Sequence, residues 1–226
     1  MRLAVSIRVD PASTPVCRYS DCGGLRRYLE GLMPRTRHPS AMPADFQELR
    51  GLPAHGPAAK SFPVGWGNLG REGKVVEFLV AEGAWVGNFR PGIGGLDLAR
   101  VCTGCERILV IARGDAWIVD PDKRSAEPLL PAVDQLLDVP HGGGWILCRQ
   151  GLALARLVGT RLAWHTRRLS WDGIDRLRIE GDRIVGSAWN PFEQGWHDFS
   201  VDLQTGMSTG GSYASAADDS WEQLGS

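Results

Sequence analysis

Residues 171–211 read WDGIDRLRIEGDRIVGSAWNPFEQGWHDFSVDLQTGMSTGG, and this stretch decides the fold. Ile174, Leu177 and Ile179 lead into the turn Glu180-Gly181-Asp182, and Ile184 to Trp189 makes a second run. Asn190 to Gly195 loops to a third run, Trp196 to Asp202, and Leu203-Gln204-Thr205-Gly206 turns into a short last one. Runs of this length, bounded by Gly, Asn, Asp and Pro, predict four short antiparallel strands joined by tight turns.

Earlier parts of the chain carry copies of the same plan. The hairpin FLVAEGAWVGNF (78–89) superposes on LVIARGDAWIVDP (109–121), with Trp85 matching Trp117. Further runs are expected at Val75 to Val80, Arg107 to Ala112, Leu136 to Val139, Trp145 to Arg149, Leu152 to Val158 and Arg161 to Arg168. Ile108, Ile146 and Ile184 each open an inner strand and follow one another at 38 residues. That period is close to the roughly 40–45 residues of a four-stranded repeat unit. The expected fold is all-β, built of repeated antiparallel four-stranded units in a propeller-like arrangement; a β-sandwich or barrel is the alternative. The turns VDPDKR (119–124) and VDLQTG (201–206) resemble the outer hairpins of β-propeller repeats of the quinoprotein and WD-repeat kind. The resemblance spans about 74–211 and implies a scaffold that presents loops to a partner. No Gly-His pair opens a copy and no Trp-Asp pair closes one.

N-terminal to the repeats the pattern is different. Leu3, Val5, Ile7 and Val9 alternate as in a half-buried strand, and Leu25, Tyr28, Leu29 and Leu32 fall at helical spacing. Residues 34–63 form an irregular Pro- and Gly-rich excursion, with one helical turn expected at Asp45 to Leu52. The expected organisation is therefore an N-terminal segment (1–73) packed on a β-repeat domain (74–211), followed by a tail (212–226).

Composition narrows the function classes. The 226 residues are 43% hydrophobic and 23% charged, the balance of a globular protein. A formal net charge of −1 argues against a general nucleic-acid binder, and no run is long and apolar enough to span a membrane. The opening MRLAVSIRVDPA meets Arg8 and Asp10 before an apolar core forms, so a cytoplasmic location is expected. Five cysteines, an odd number, do not suggest a disulfide framework.

Each chemical motif has a plainer structural explanation. Gly65-Trp66-Gly67-Asn68-Leu69-Gly70 matches the dinucleotide pattern in letters, but Pro63 precedes it and a strand follows, so no helix N-terminus is on offer for a pyrophosphate. His141-Gly142-Gly143-Gly144 has no nucleophile elbow to serve and reads as a hairpin connection. Arg113-Gly114-Asp115 is a turn. Cys102-Thr103-Gly104-Cys105 has metal-ligand spacing; no metal is expected, and if zinc is present its ligands are Cys17, Cys22, Cys102 and Cys105. Cys148 belongs to the core. His197 and Asp198 are strand neighbours, which face opposite sides of a sheet and do not pair as base and orienter.

Tryptophan is the unusual count, nine residues. Most fall in expected strands and serve packing; Trp66, Trp85, Asn88, Phe89 and Arg90 lie beside irregular segments and are the expected surface for a protein partner. The functional expectation is a non-enzymatic protein-binding module without a cofactor, an immunity (toxin-neutralising) protein or an adaptor. The rival readings are a hydrolase-type or sugar-acting enzyme, drawing on Asp97, Asp172, Glu193 and Asp198, and a structural subunit of a complex.

Overall fold

The computed structural model describes residues 45–213, and they form four separate four-stranded sheets. The first holds β1 (Asp45–Leu49), β2 (Lys60–Phe62), β3 (Lys74–Val80) and β4 (Gly83–Phe89) in the order β1-β3-β4-β2. The second runs β5 (Leu98–Val101), β6 (Ile108–Ala112), β7 (Asp115–Asp120) and β8 (Ser125–Leu130). The third runs β9 (Val133–Asp138), β10 (Trp145–Arg149), β11 (Ala153–Val158) and β12 (Arg161–His165). The fourth runs β13 (Ile174–Glu180), β14 (Arg183–Asn190), β15 (Gly195–Asp202) and β16 (Ser208–Gly210). Sheets two to four are antiparallel meanders in chain order, so neither a two-sheet sandwich nor a closed barrel is formed among the described residues.

Each sheet packs face to face on the next in the chain, and the inner sheets are buried on both sides. In β6, Ile108, Val110 and Ala112 enter the core shared with the first sheet, while Leu109 and Ile111 enter the core shared with the third. In β10, Trp145 and Leu147 face the second sheet while Ile146 and Cys148 face the fourth. Double burial explains why ILVIA and WILC are continuous apolar runs with no alternation. Ile108, Ile146 and Ile184 all lie in the second strand of their sheets with no exposed surface, but Ile108 and Ile184 face the sheet before and Ile146 faces the sheet after.

Recurring stitches lock neighbouring sheets. The Trp85 indole N–H donates to the Pro121 carbonyl at 2.9 Å, tying the first sheet to the turn after β7. The Trp164 indole N–H donates to Leu203 O at 3.1 Å, and Arg156 donates to the same oxygen at 2.7 Å, tying the third sheet to the turn after β15. Pro121 and Leu203 are the third residues of VDPDKR and VDLQTG, so equivalent turns supply equivalent acceptors. The preceding aspartates shape those turns. Asp120 Oδ1 accepts from Lys123 N at 3.1 Å, and Asp202 Oδ1 accepts from Thr205 N at 2.7 Å.

The first sheet departs from the expectations. Residues 45–49 form a strand, not a helical turn. Phe46 and Leu49 have helical spacing, but five residues of β1 pair with β3, and ladder pairing overrides a weak local preference. Sheet structure therefore begins well before residue 74. The excursion between β1 and β3 carries β2, which lies parallel to β4 and takes the edge held by β8, β12 and β16 in the other sheets. The glycine-rich 65–70 stretch is a four-residue 3-10 turn, Trp66–Leu69, flanked by left-handed Gly65 and Gly70. His141-Gly142-Gly143-Gly144 lies in the link between β9 and β10, as a hairpin connection should. The strand expected at 3–9, the helix expected from Leu25 to Leu32, Cys17, Cys22 and the tail beyond 213 lie outside the described residues. Among the described residues no helix is long and apolar enough to cross a membrane.

Candidate functional site

The fourth sheet has one face in the core and, among the described residues, one face open. Ile184, Ala188, Phe199 and Val201 point inward against the third sheet. Strand alternation therefore sends Val185, Ser187, Trp189, Trp196, Asp198 and Ser200 to the outer face. The register Trp189↔Trp196 and Ser187↔Asp198 places these four in two adjacent rows. The two indoles touch, with centroids 5.2 Å apart and planes at 56°. Trp196 is 51% exposed, unusual for so large an apolar ring on a protein surface.

Polar groups frame the rings. Ser187 is buried, and its hydroxyl donates to Asp198 Oδ1 at 2.9 Å, fixing a carboxylate that is itself exposed. Among the described residues no cation pairs with Asp198. At the other end of the face, Arg183 Nε donates to Ser200 Oγ at 2.5 Å and Arg178 pairs with Glu180 at 2.7 Å. Asp202 is kept below the usual carboxylate range, first by the Thr205 backbone N–H and then by the Thr205 hydroxyl. The turn before β15 carries Phe192, 76% exposed and 5.1 Å from Trp171. Trp171 also meets Tyr213 at 4.5 Å, and the Arg168 guanidinium lies 5.4 Å from the Trp171 ring and 4.7 Å from the Tyr213 ring. That aromatic cage is filled by the protein's own arginine. The Trp189–Trp196 pair holds no cation among the described residues.

The surface expected at Trp66, Trp85, Asn88, Phe89 and Arg90 is not assembled. Trp85 and Phe89, 6% and 0% exposed, belong to the core between the first two sheets. Asn88 is 1% exposed and is spent on the backbone, accepting from Gly73 N at 2.9 Å and donating to Arg71 O at 3.0 Å. Trp66 is half-buried, and Arg90 lies 3.8 Å from Asp115. Nearness to an irregular segment in sequence did not mean exposure, because that segment folds back as a strand of the same sheet. Trp196 carried the better signal: it follows a six-residue turn and sits opposite another Trp, on a strand whose other face is already apolar.

The carboxylates of the enzyme reading are scattered and mostly engaged. Asp97 pairs with Lys74 at 2.8 Å and accepts from Arg113 N at 3.0 Å. Glu193 pairs with His197 at 2.8 Å, and Asp172 lies exposed in the loop before β13. A polar hollow of about 300 Å³ opens beside Arg107, Asp120, Lys123, Thr160 and Arg161. Its partly buried acid, Asp120, is already held by Arg107 and by Lys123 at 3.5 Å.

Cys102 is buried and Cys105 partly so, both as free thiols. Burial, with help from the neighbouring Cys105, pushes the Cys102 thiol up to about 12. Burial pushes Cys148 to about 12 as well. A neutral thiol is a poor nucleophile and a poor metal ligand. Among the described residues no three His, Cys, Asp or Glu side chains gather as a metal site. The other thiol pair of the zinc expectation, Cys17 and Cys22, lies outside them.

Comparison with protein-family models, with curated proteins and with solved structures finds no match to this chain.

Proposed function

We propose that the protein is a non-enzymatic protein-binding module whose contact surface is the outer face of the fourth sheet. The four sheets act as a rigid propeller-like stack, and binding requires no chemistry. An immunity protein or an adaptor is the kind of role such a scaffold serves. One observation carries the reading: the exposed Trp196, in tilted contact with Trp189, stands on the sheet face that the second and third sheets bury against a neighbour. Exposed apolar surface of this kind is costly to a free protein and is a mark of recognition sites, where Trp is enriched among the residues that dominate affinity.

The test begins with capture of the partner by the wild-type chain from its native host, followed by binding of the identified partner to Trp196→Ala. Loss of a central Trp anchor costs on the order of 2 kcal/mol or more, about thirtyfold in Kd. A Trp196→Ala chain that remains folded and binds its partner as tightly as wild type would sink the proposal.

A further inference from the structure

From the same face we infer the chemistry of what it receives: a cationic side chain, arginine or lysine, of a basic segment on the partner protein. This rests on the protein-binding reading and goes one step further. Trp196 and Asp198 are two apart on β15, so an exposed indole and an exposed carboxylate stand side by side on one face. The Ser187 hydroxyl holds Asp198 Oδ1 at 2.9 Å and leaves Oδ2 without a hydrogen bond among the described residues. A second indole, Trp189, backs the first at 5.2 Å. A ring face attracts a cation through its quadrupole, and a neighbouring carboxylate adds a charge-assisted hydrogen bond. An arginine's planar fork satisfies both at once.

The protein itself supplies the comparison. Arg168 lies over Trp171 and Tyr213, at 5.4 and 4.7 Å, on the neighbouring aromatic cluster, and there the cation comes from the same chain. At Trp189 and Trp196 the aromatic walls and the anion are in place and no cation of the described chain enters. Arg178 pairs with Glu180, and Arg183, hydrogen-bonded to Ser200, has its charge set against Asp202. Charge complementarity thus selects a basic occupant over an acidic one.

The experiment uses the full chain, ¹⁵N-labelled, and the blocked peptide acetyl-Gly-Arg-Gly-amide as probe, followed through the indole N–H signals. Loss of one signal in Trp189→Phe and in Trp196→Phe assigns the two. The peptide is expected to shift these two signals saturably and to leave the core tryptophans in place. Replacing its arginine by neutral citrulline should weaken binding at least fivefold, and Asp198→Asn at least threefold. Equal response to the citrulline peptide, or no saturable shift at either signal, overturns the inference. Self-association abolished by Trp196→Ala with no response to the peptide would assign the face to a second copy of the chain and overturn it too. With the captured partner the two proposals separate. Binding that needs Trp196 but is indifferent to Asp198→Asn removes the cationic occupant and leaves the protein-binding reading standing; indifference to both removes that reading as well.

Discussion

Replacing Trp85 and Trp117 by phenylalanine, one at a time, isolates the worth of a single inter-sheet hydrogen bond. The two residues are 6% and 5% exposed and enter the same core. Each replacement deletes the same atoms, with a packing cost of about 1–2 kcal/mol at either site. The indole N–H groups differ. That of Trp85 donates to Pro121 O at 2.9 Å in a buried setting, so Trp85→Phe also leaves a buried carbonyl without its partner, a further 1–3 kcal/mol or so. That of Trp117 is buried with no partner, and deleting it returns a desolvation cost of about the same size. Trp85→Phe should therefore destabilise by about 3 kcal/mol and Trp117→Phe by about zero. Urea denaturation followed by far-UV circular dichroism reads both, with the slope checked for constancy. Trp117→Phe costing as much as Trp85→Phe would refute the argument, because packing alone would then account for both.

Other outcomes follow from the same geometry. Gly186→Ala would place a Cβ 2.7 Å from Phe199 Cζ, and should destabilise by about 1–3 kcal/mol; adding Phe199→Leu should recover part of that in the same urea assay. Asp138 is held below the usual carboxylate range, first by Arg100 and then by the Trp145 indole N–H. Its contribution is therefore complete above the unfolded carboxylate pKa and is lost as pH falls through the lower folded one. The thermal midpoint of wild type should drop more steeply than that of Asp138→Asn on acidification below about pH 4. At pH 8, iodoacetamide should label Cys105 well before Cys102 and Cys148, whose thiols are pushed up to about 12, with peptide mass spectrometry as the readout. Labelling of Cys148 at the rate of Cys105 would contradict its burial.

The fourth sheet was legible because every signal in 171–211 agreed: apolar runs of strand length, turn residues at each boundary, and an aspartate-headed turn that the second sheet repeats. The 38-residue spacing from Ile108 to Ile184 was legible because each of the three residues lies in the second strand of its sheet with a fully buried side chain, and such a position tolerates little variation in size or polarity. The first sheet was not. Its β1 shows a helix-like Phe46–Leu49 spacing, and its β2 is three residues long, too short for any period to register. Both strands exist because partners far along the chain supply the ladder. The burial of Trp85, Asn88 and Phe89 was not legible for a related reason. Trp85 and Trp196 look alike in sequence, each in a strand next to a turn. What separates them is whether another sheet lies across that face, and this depends on the order in which sheets pack.

The central claim is that the open face of the fourth sheet is where a partner protein docks. Hydrogen–deuterium exchange of the full chain, with and without the captured partner, tests it most directly. Slowed exchange concentrated in residues 183–202, with residues 74–90 unchanged, is the predicted result. Protection confined to 74–90, or anywhere that leaves β14 and β15 untouched, would contradict it.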